Sequence, residues 1–259
     1  MKNRTIYYSD ELNDDFAGGQ VELKKVNKDF KFIHKNPIWR FFAFILYYII
    51  AFPIIWFYEV CILRVKFVNK KALKSLKHTP YFMYGNHTGA TDAYTPQLIS
   101  CPRKNYIVVS PATVSIKGIK NIVQMLGAVP VPTELNGFPK FLDAIETLHK
   151  KNNITIYPEA HIWPYYTGVR PFKDVSFKYP AKLNSPVVAF FVAYTKPKGF
   201  LSFLRHANVT VYVSDPIYPN MALPEKERQK ALRDAVYNFM VEKSKFSTYE
   251  YIKYIKKDQ

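Results

Sequence analysis

The chain has 259 residues, 48% of them hydrophobic and 22% charged, a composition that excludes a disordered chain and a polytopic membrane protein. Its 37 basic residues against 20 acidic ones leave a formal charge of +17, which points to a polyanionic partner, either nucleic acid or an anionic membrane surface. Lysine supplies 29 of those cations and arginine 8, a ratio that compositional bias alone also produces and that arginine-led reading of bases does not favour, so no nucleic-acid partner is expected.

Residues 1–36 hold no apolar run of the kind a secretory signal needs and read as a polar arm. Residues 37–63 contain FFAFILYYIIAFPIIWFY, Phe41 to Tyr58, with no formal charge. As a straight helix, 18 residues reach roughly 27 Å, just short of a hydrocarbon core of roughly 30 Å. Pro53 inside the run, the phenols of Tyr47 and Tyr48 near its middle and lysines on both flanks favour a kinked segment lying in one leaflet over a clean span. A buried core helix is the alternative reading. The following stretch, 64–77, sets six cations against no acid and suits an anionic lipid surface on the cytoplasmic side of the cell membrane.

From 64 to 259 the pattern is that of one α/β domain. Short apolar or β-branched runs at Tyr81 to Tyr84, Tyr106 to Val109, Ala128 to Val131, Ile154 to Tyr157, Val187 to Val192 and Val209 to Val213 predict strands. Helical stretches at 115–126 and 138–151 fall between them. Pro224 to Lys245 is the clearest helix, with acids in its first turn, lysines in its last and an apolar stripe of Leu232, Val236, Phe239 and Met240. The expectation is a layered mixed sheet flanked by helices, preceded by a membrane-embedded helical segment.

Chemistry gathers where the first strand of this domain ends, in NHTGATD. His87 follows a predicted strand and precedes a predicted helix, with Asp92 five positions on, and a strand-to-helix loop is where α/β sheets present catalytic groups. A neutral imidazole can take a proton from a hydroxyl, while a carboxylate on its other nitrogen sets the tautomer. By composition alone such a pair is expected about 0.23 times in a chain like this, so it is a weak signal by itself.

Asn86 to Asp92 resembles the Asn-His-x-x-x-x-Asp block of glycerolipid acyltransferases, the lysophosphatidic acid acyltransferase family. Three further blocks are similar in order: GAVPVP from Gly127, YPEA with Glu159, and SPVVAF with Pro186; the PFK segment, Pro171 to Lys173, also matches. The resemblance covers roughly residues 60–240. It implies a glycerol-3-phosphate acyltransferase-like fold and direct acyl transfer, with His87 as general base, Asp92 orienting it, and a thioester of coenzyme A or acyl carrier protein as co-substrate. No cofactor or metal is implied. The acceptor would be a lysolipid drawn from the membrane, with Asn86, Gly127, Glu159 and His161 around it, and amides near Gly85 to Gly89 as oxyanion donors. Thr88 reads as a helix cap. Where the third block normally runs Glu-Gly-Thr-Arg, this chain has Glu159, Ala160, His161 and Ile162, and Thr133 stands where the second block often ends in arginine. The lysine usual near Ser110 or Pro111 is also missing. Arg170 and Lys173 are the cations placed to grip an acceptor phosphate in their stead; otherwise the head group is different or less anionic. His34, His78, His149 and His206 and the lone Cys101 read as structural.

Overall fold

A computed structural model describes residues 4–16, 22–199 and 202–257. The strands are β1 (Arg4–Tyr8), β2 (Lys66–Val68), β3 (Phe82–Gly85), β4 (Asn105–Val109), β5 (Ala128–Pro130), β6 (Asn153–Ile156), β7 (Val187–Thr195), β8 (Asn208–Val213) and β9 (Ile252–Lys256). Seven of them form one sheet in the order β2-β8-β7-β3-β6-β4-β5. β3, β4, β5, β6 and β7 run parallel, and β7 meets β8 antiparallel, making the sheet mixed. β7, VVAFFVAYT, is buried over its first eight residues, as a strand covered on both faces must be.

One face of the sheet packs Phe82, Tyr84, Ile154 and Ala189 against the helices Phe138–His149 and Glu225–Ser244, the latter through Leu232, Val236 and Met240. The stretch expected to be a polar arm feeds this core as well: Val26, Phe30 and Phe32 are buried in it. The other face packs Met83, Val188, Phe190 and Val211 under Leu73, Leu76 and Ile99. β1 and β9, both unforeseen, pair in parallel as a separate two-stranded sheet, register Arg4 with Ile252 through Tyr8 with Lys256.

Several boundaries differ from expectation for local reasons. The stretch 115–126 is two short helices, Pro111–Ser115 and Lys120–Met125, because Gly118 at φ +85° turns the chain between them. After His87 comes a loop, a 3₁₀ turn Ala90–Ala93 and only then the helix Thr95–Ser100.

The apolar segment is one unbroken helical run, Pro37–Ile62, and does not fold back as a hairpin. Asn36 caps it, its side chain accepting from the amides of Ile38 and Trp39 at 2.8 and 3.3 Å, with Pro37 in the first turn. A π-helical stretch, Ile45–Ala51, precedes Pro53; the wider turn accommodates a ring that would press on the carbonyl four residues back in an α-helix. Arg64 at φ 55° ends the run. One side of the helix is fastened to the domain. Tyr47 is buried and its hydroxyl accepts from the Asn105 amide at 3.0 Å, while the buried Glu59 carboxylate accepts from the Thr95 hydroxyl at 3.2 Å. The other side exposes Phe41, Phe42, Ile49, Ile50, Ile54 and Phe57. This helix is long and apolar enough to cross a membrane, and the face it leaves uncovered is a continuous apolar surface.

Candidate active site

The site forms at the carboxyl end of β3. Gly85 is the last residue of the strand, and a Cβ there would lie 2.1 Å from the Phe190 ring of β7, so glycine leaves the room that this ring occupies just before His87. Asn86 then continues the pairing with its side chain: Oδ1 accepts from the Val192 amide at 2.8 Å and Nδ2 donates to the Val192 carbonyl at 3.2 Å. Asn86 is fully buried, and it fixes where the loop leaves the sheet rather than lining the cavity described below.

His87 and Asp92 meet as the spacing suggests. Asp92 Oδ2 lies 2.7 Å from His87 Nδ1 and also accepts the amides of Thr88 at 2.7 Å and Gly89 at 2.9 Å. Asp92 is 2% exposed, so these three donors replace the water its charge requires. An aspartate accepting at Nδ1 puts the imidazole proton there and leaves the lone pair on Nε2. Tyr157, at the end of β6, stacks on the His87 ring with centroids 4.4 Å apart and an angle of 18°, and its hydroxyl donates to the Asp92 carbonyl. Burial, with Asp92 and Glu59 nearby, pushes the Tyr157 phenol well up, so it remains a donor. The sequence marks Tyr157 as the end of a strand and the first residue of YPEA, and assigns it no role in the site.

The same hydrogen bonds occupy three of the expected oxyanion donors. The amides of Thr88 and Gly89 are taken by Asp92, and that of His87 donates to Glu159 Oε2 at 3.2 Å. Thr88 caps no helix: its hydroxyl is buried 2.9 Å from the Tyr194 hydroxyl, because the turn that follows is 3₁₀ and Asp92 already serves its amides.

Glu159 is likewise buried and ties three segments together. It accepts from the His87 amide, from the Arg170 amide at 3.1 Å and from the Arg170 guanidinium at 3.3 Å. Burial raises its carboxyl above the ordinary range, against the opposing pull of Arg170 and the two amides. Arg170 spends its guanidinium on Glu159, on the carbonyl of His161 and on the carbonyl of Glu11, and lies over the Trp163 ring at 4.9 Å. Arg170 is 1% exposed and lines no part of the cavity, which departs from the expectation that it grips a phosphate. Lys173, three residues on, is exposed and does line it.

The cavity itself has a volume of about 1230 Å³. His87, Tyr157, Glu159 and His161 stand on its wall, and Gly127 lines it where a positive φ of 103° turns the chain into β5. The apolar helix lines it through Ala51, Phe52 and Ile55, as do Ile107 and Val109 of β4 and the rings of Phe138, Phe141 and Tyr179. A third wall is the N-terminal stretch after β1, through Leu12, Asn13 and Asp15, for which the sequence carried no signal. Among the described residues no group of three or more His, Cys, Asp or Glu side chains is arranged to hold a metal ion.

No family model and no curated protein sequence matches the chain. Among solved structures it is similar to the 1-acyl-sn-glycerophosphate (LPA) acyltransferase PlsC from Thermotoga maritima, at 18% identity and a TM-score of 0.49, over 70% of this chain and 72% of that one.

Proposed function

We propose that this protein is an acyltransferase that moves a fatty acyl group from a thioester of coenzyme A or acyl carrier protein to the hydroxyl of a membrane lysolipid, as a step of phospholipid biosynthesis. The observation that carries the reading is the His87–Asp92 pair, 2.7 Å apart, with His87 on the wall of a cavity of about 1230 Å³ lined largely by apolar side chains. The four ordered sequence blocks support it.

Asp92 holds the Nδ1 proton, and Nε2 of His87 takes the proton of the acceptor hydroxyl as its oxygen attacks the thioester carbonyl. The tetrahedral intermediate collapses, the C–S bond breaks, and the departing thiolate recovers the proton from Nε2. No acyl-enzyme is needed, since the acceptor oxygen is itself the activated nucleophile. Tyr157 holds the ring plane, so the lone pair keeps one direction. The apolar part of the cavity lining takes acyl chains, and the exposed face of Pro37–Ile62, bracketed by lysines, keeps the cavity at the lipid surface from the cytoplasmic side.

His87→Ala is expected to lower transfer by about 10²- to 10⁴-fold, the usual worth of a positioned general base, while the protein stays folded and bound to vesicles. Full turnover by that variant would overturn the assignment.

A further inference from the structure

A second cavity, of about 490 Å³, is lined jointly by the apolar helix and the domain. Phe52, Trp56 and Val60 of the helix, Phe67 of β2 and Leu98 of the helix Thr95–Ser100 give it apolar walls, and Lys70 adds one ammonium. No aspartate or glutamate stands among the described residues that line it, and of those residues only Phe52 also lines the cavity of His87.

Lys70 opens the short helix Lys70–Leu76, whose Leu73 and Leu76 pack into the core. Its ammonium donates to the Leu98 carbonyl at 2.6 Å and lies 5.7 Å from the centre of the Phe67 ring. Both neighbours are uncharged, and among the described residues no carboxylate is within ion-pairing distance of it. An ammonium has three donors, of which the carbonyl takes one. Partial burial of the side chain lowers its pKa below the ordinary lysine value, as for a charge that has lost water without gaining a counterion. An anion placed against such a charge gains more than one placed against a fully solvated lysine. The residue as a whole stays exposed, as do the other five cations of 64–77, so the approach to the groove is open and positive throughout.

We propose that this groove is a binding site for an anionic phospholipid of the bilayer, separate from the cavity of His87, with the acyl chain against Phe52, Trp56 and Val60 and the phosphate at Lys70. The walls belong to the helix face that meets lipid, and a tryptophan beside a lysine is the pairing that suits the boundary between acyl chains and head groups. Of the preceding reading the proposal uses only the placement of this helix against lipid; it stands whether or not acyl transfer does.

The test follows Trp56 itself. In full-length protein carrying Trp39→Phe, Trp56 is the tryptophan open to lipid, since Trp163 is fully buried. Two sets of vesicles have the same mixture of phosphatidylcholine and phosphatidylglycerol and therefore the same surface charge; they differ only in which of the two lipids carries brominated chains, which quench tryptophan on contact. Brominated phosphatidylglycerol is expected to quench Trp56 about fivefold more per mole than brominated phosphatidylcholine, equivalent to about 1 kcal/mol. Lys70→Gln should abolish this preference and Lys70→Arg should keep it, while Lys71→Gln, which removes the same charge outside the groove, should leave it unchanged. Equal quenching by the two lipids, or a preference that survives Lys70→Gln, overturns the proposal. Protein that sediments with vesicles but whose Trp56 neither lipid quenches has the groove filled by protein, a second copy included, and also overturns it. Failure to sediment with either set of vesicles overturns the placement of the helix against lipid and the proposal with it.

Discussion

The dyad depends on residues that do no chemistry. Asp92 is tolerable as a buried charge because Thr88 and Gly89 give it their amides, and those same bonds hold the loop in the shape that aims His87. Elsewhere a second histidine illustrates the opposite use of burial. His149 lies 8% exposed, 2.7 Å from the Ser185 hydroxyl and against the Phe82 ring, and burial pushes its pKa down to about 4. Since the unfolded chain takes up that proton near pH 6.5, stability is full above that value, falls as the pH drops from about 6.5 toward 4, and levels off below. The loss is about 3 kcal/mol at most, from roughly 2.5 pKa units at 1.36 kcal/mol each. Urea unfolding at pH 7 and pH 4.5 checks this: His149→Gln should remove most of the pH dependence in this window, and an unchanged slope would show that other groups carry it.

At the scale of elements, the buried strands were legible because burial on both faces demands long apolar runs: all six predicted strands are present, displaced by at most three residues at an end. The candidate site hangs on two of them, since His87 follows β3 and Tyr157 and Glu159 follow β6. Edge elements left weaker marks. β2 is three residues long, and β1 and β9 are five-residue strands of a two-stranded sheet whose partners lie some 250 residues apart, a pairing that no local pattern reveals. Arg170 was misplaced for a related reason: its sequence distance from Glu159 shows that the two can meet, but only the fold shows that they meet inside the protein and so neutralise each other. The Glu159–Ala160–His161 turn makes a testable statement about strain. Glycine at 160 relieves the positive φ at some cost in unfolded-state entropy, so Ala160→Gly should stabilise the protein by about 1 kcal/mol, a rise of about 2–4 °C in Tm for a chain of this size. A drop in Tm would mean that the turn is not strained.

Across the whole molecule, the proposed function joins the +17 charge and the apolar helix in one membrane-binding role. The helix is fixed to the domain through Tyr47 and Glu59 and lines the cavity through Ala51, Phe52 and Ile55, so under the proposed function the surface meeting lipid and the wall guiding an acyl chain would belong to one element. Pro53 and the tyrosines, which suggested a broken segment, serve instead to fit and fasten a continuous one. Replacing the exposed Phe42, Ile49 and Ile54 with serine removes three side chains each worth about 1.5–3 kcal/mol when fully buried. Partition into anionic vesicles in a sedimentation assay should then weaken by at least about a hundredfold, with the far-ultraviolet circular dichroism unchanged; unchanged partition would place the lipid contact elsewhere.

The central claim, direct transfer driven by His87, is tested most directly by following a labelled acyl group. Purified protein in vesicles is given labelled acyl thioesters, on coenzyme A and on carrier protein, together with a lysolipid, and the label and the freed thiol are measured for wild type, His87→Ala and Asp92→Asn. The expected result is one thiol released for each labelled diacyl lipid formed, no label held on the protein, and loss of both products in His87→Ala, with Asp92→Asn also strongly impaired. Label retained covalently on the chain, or product formed at the wild-type rate without His87, would contradict it.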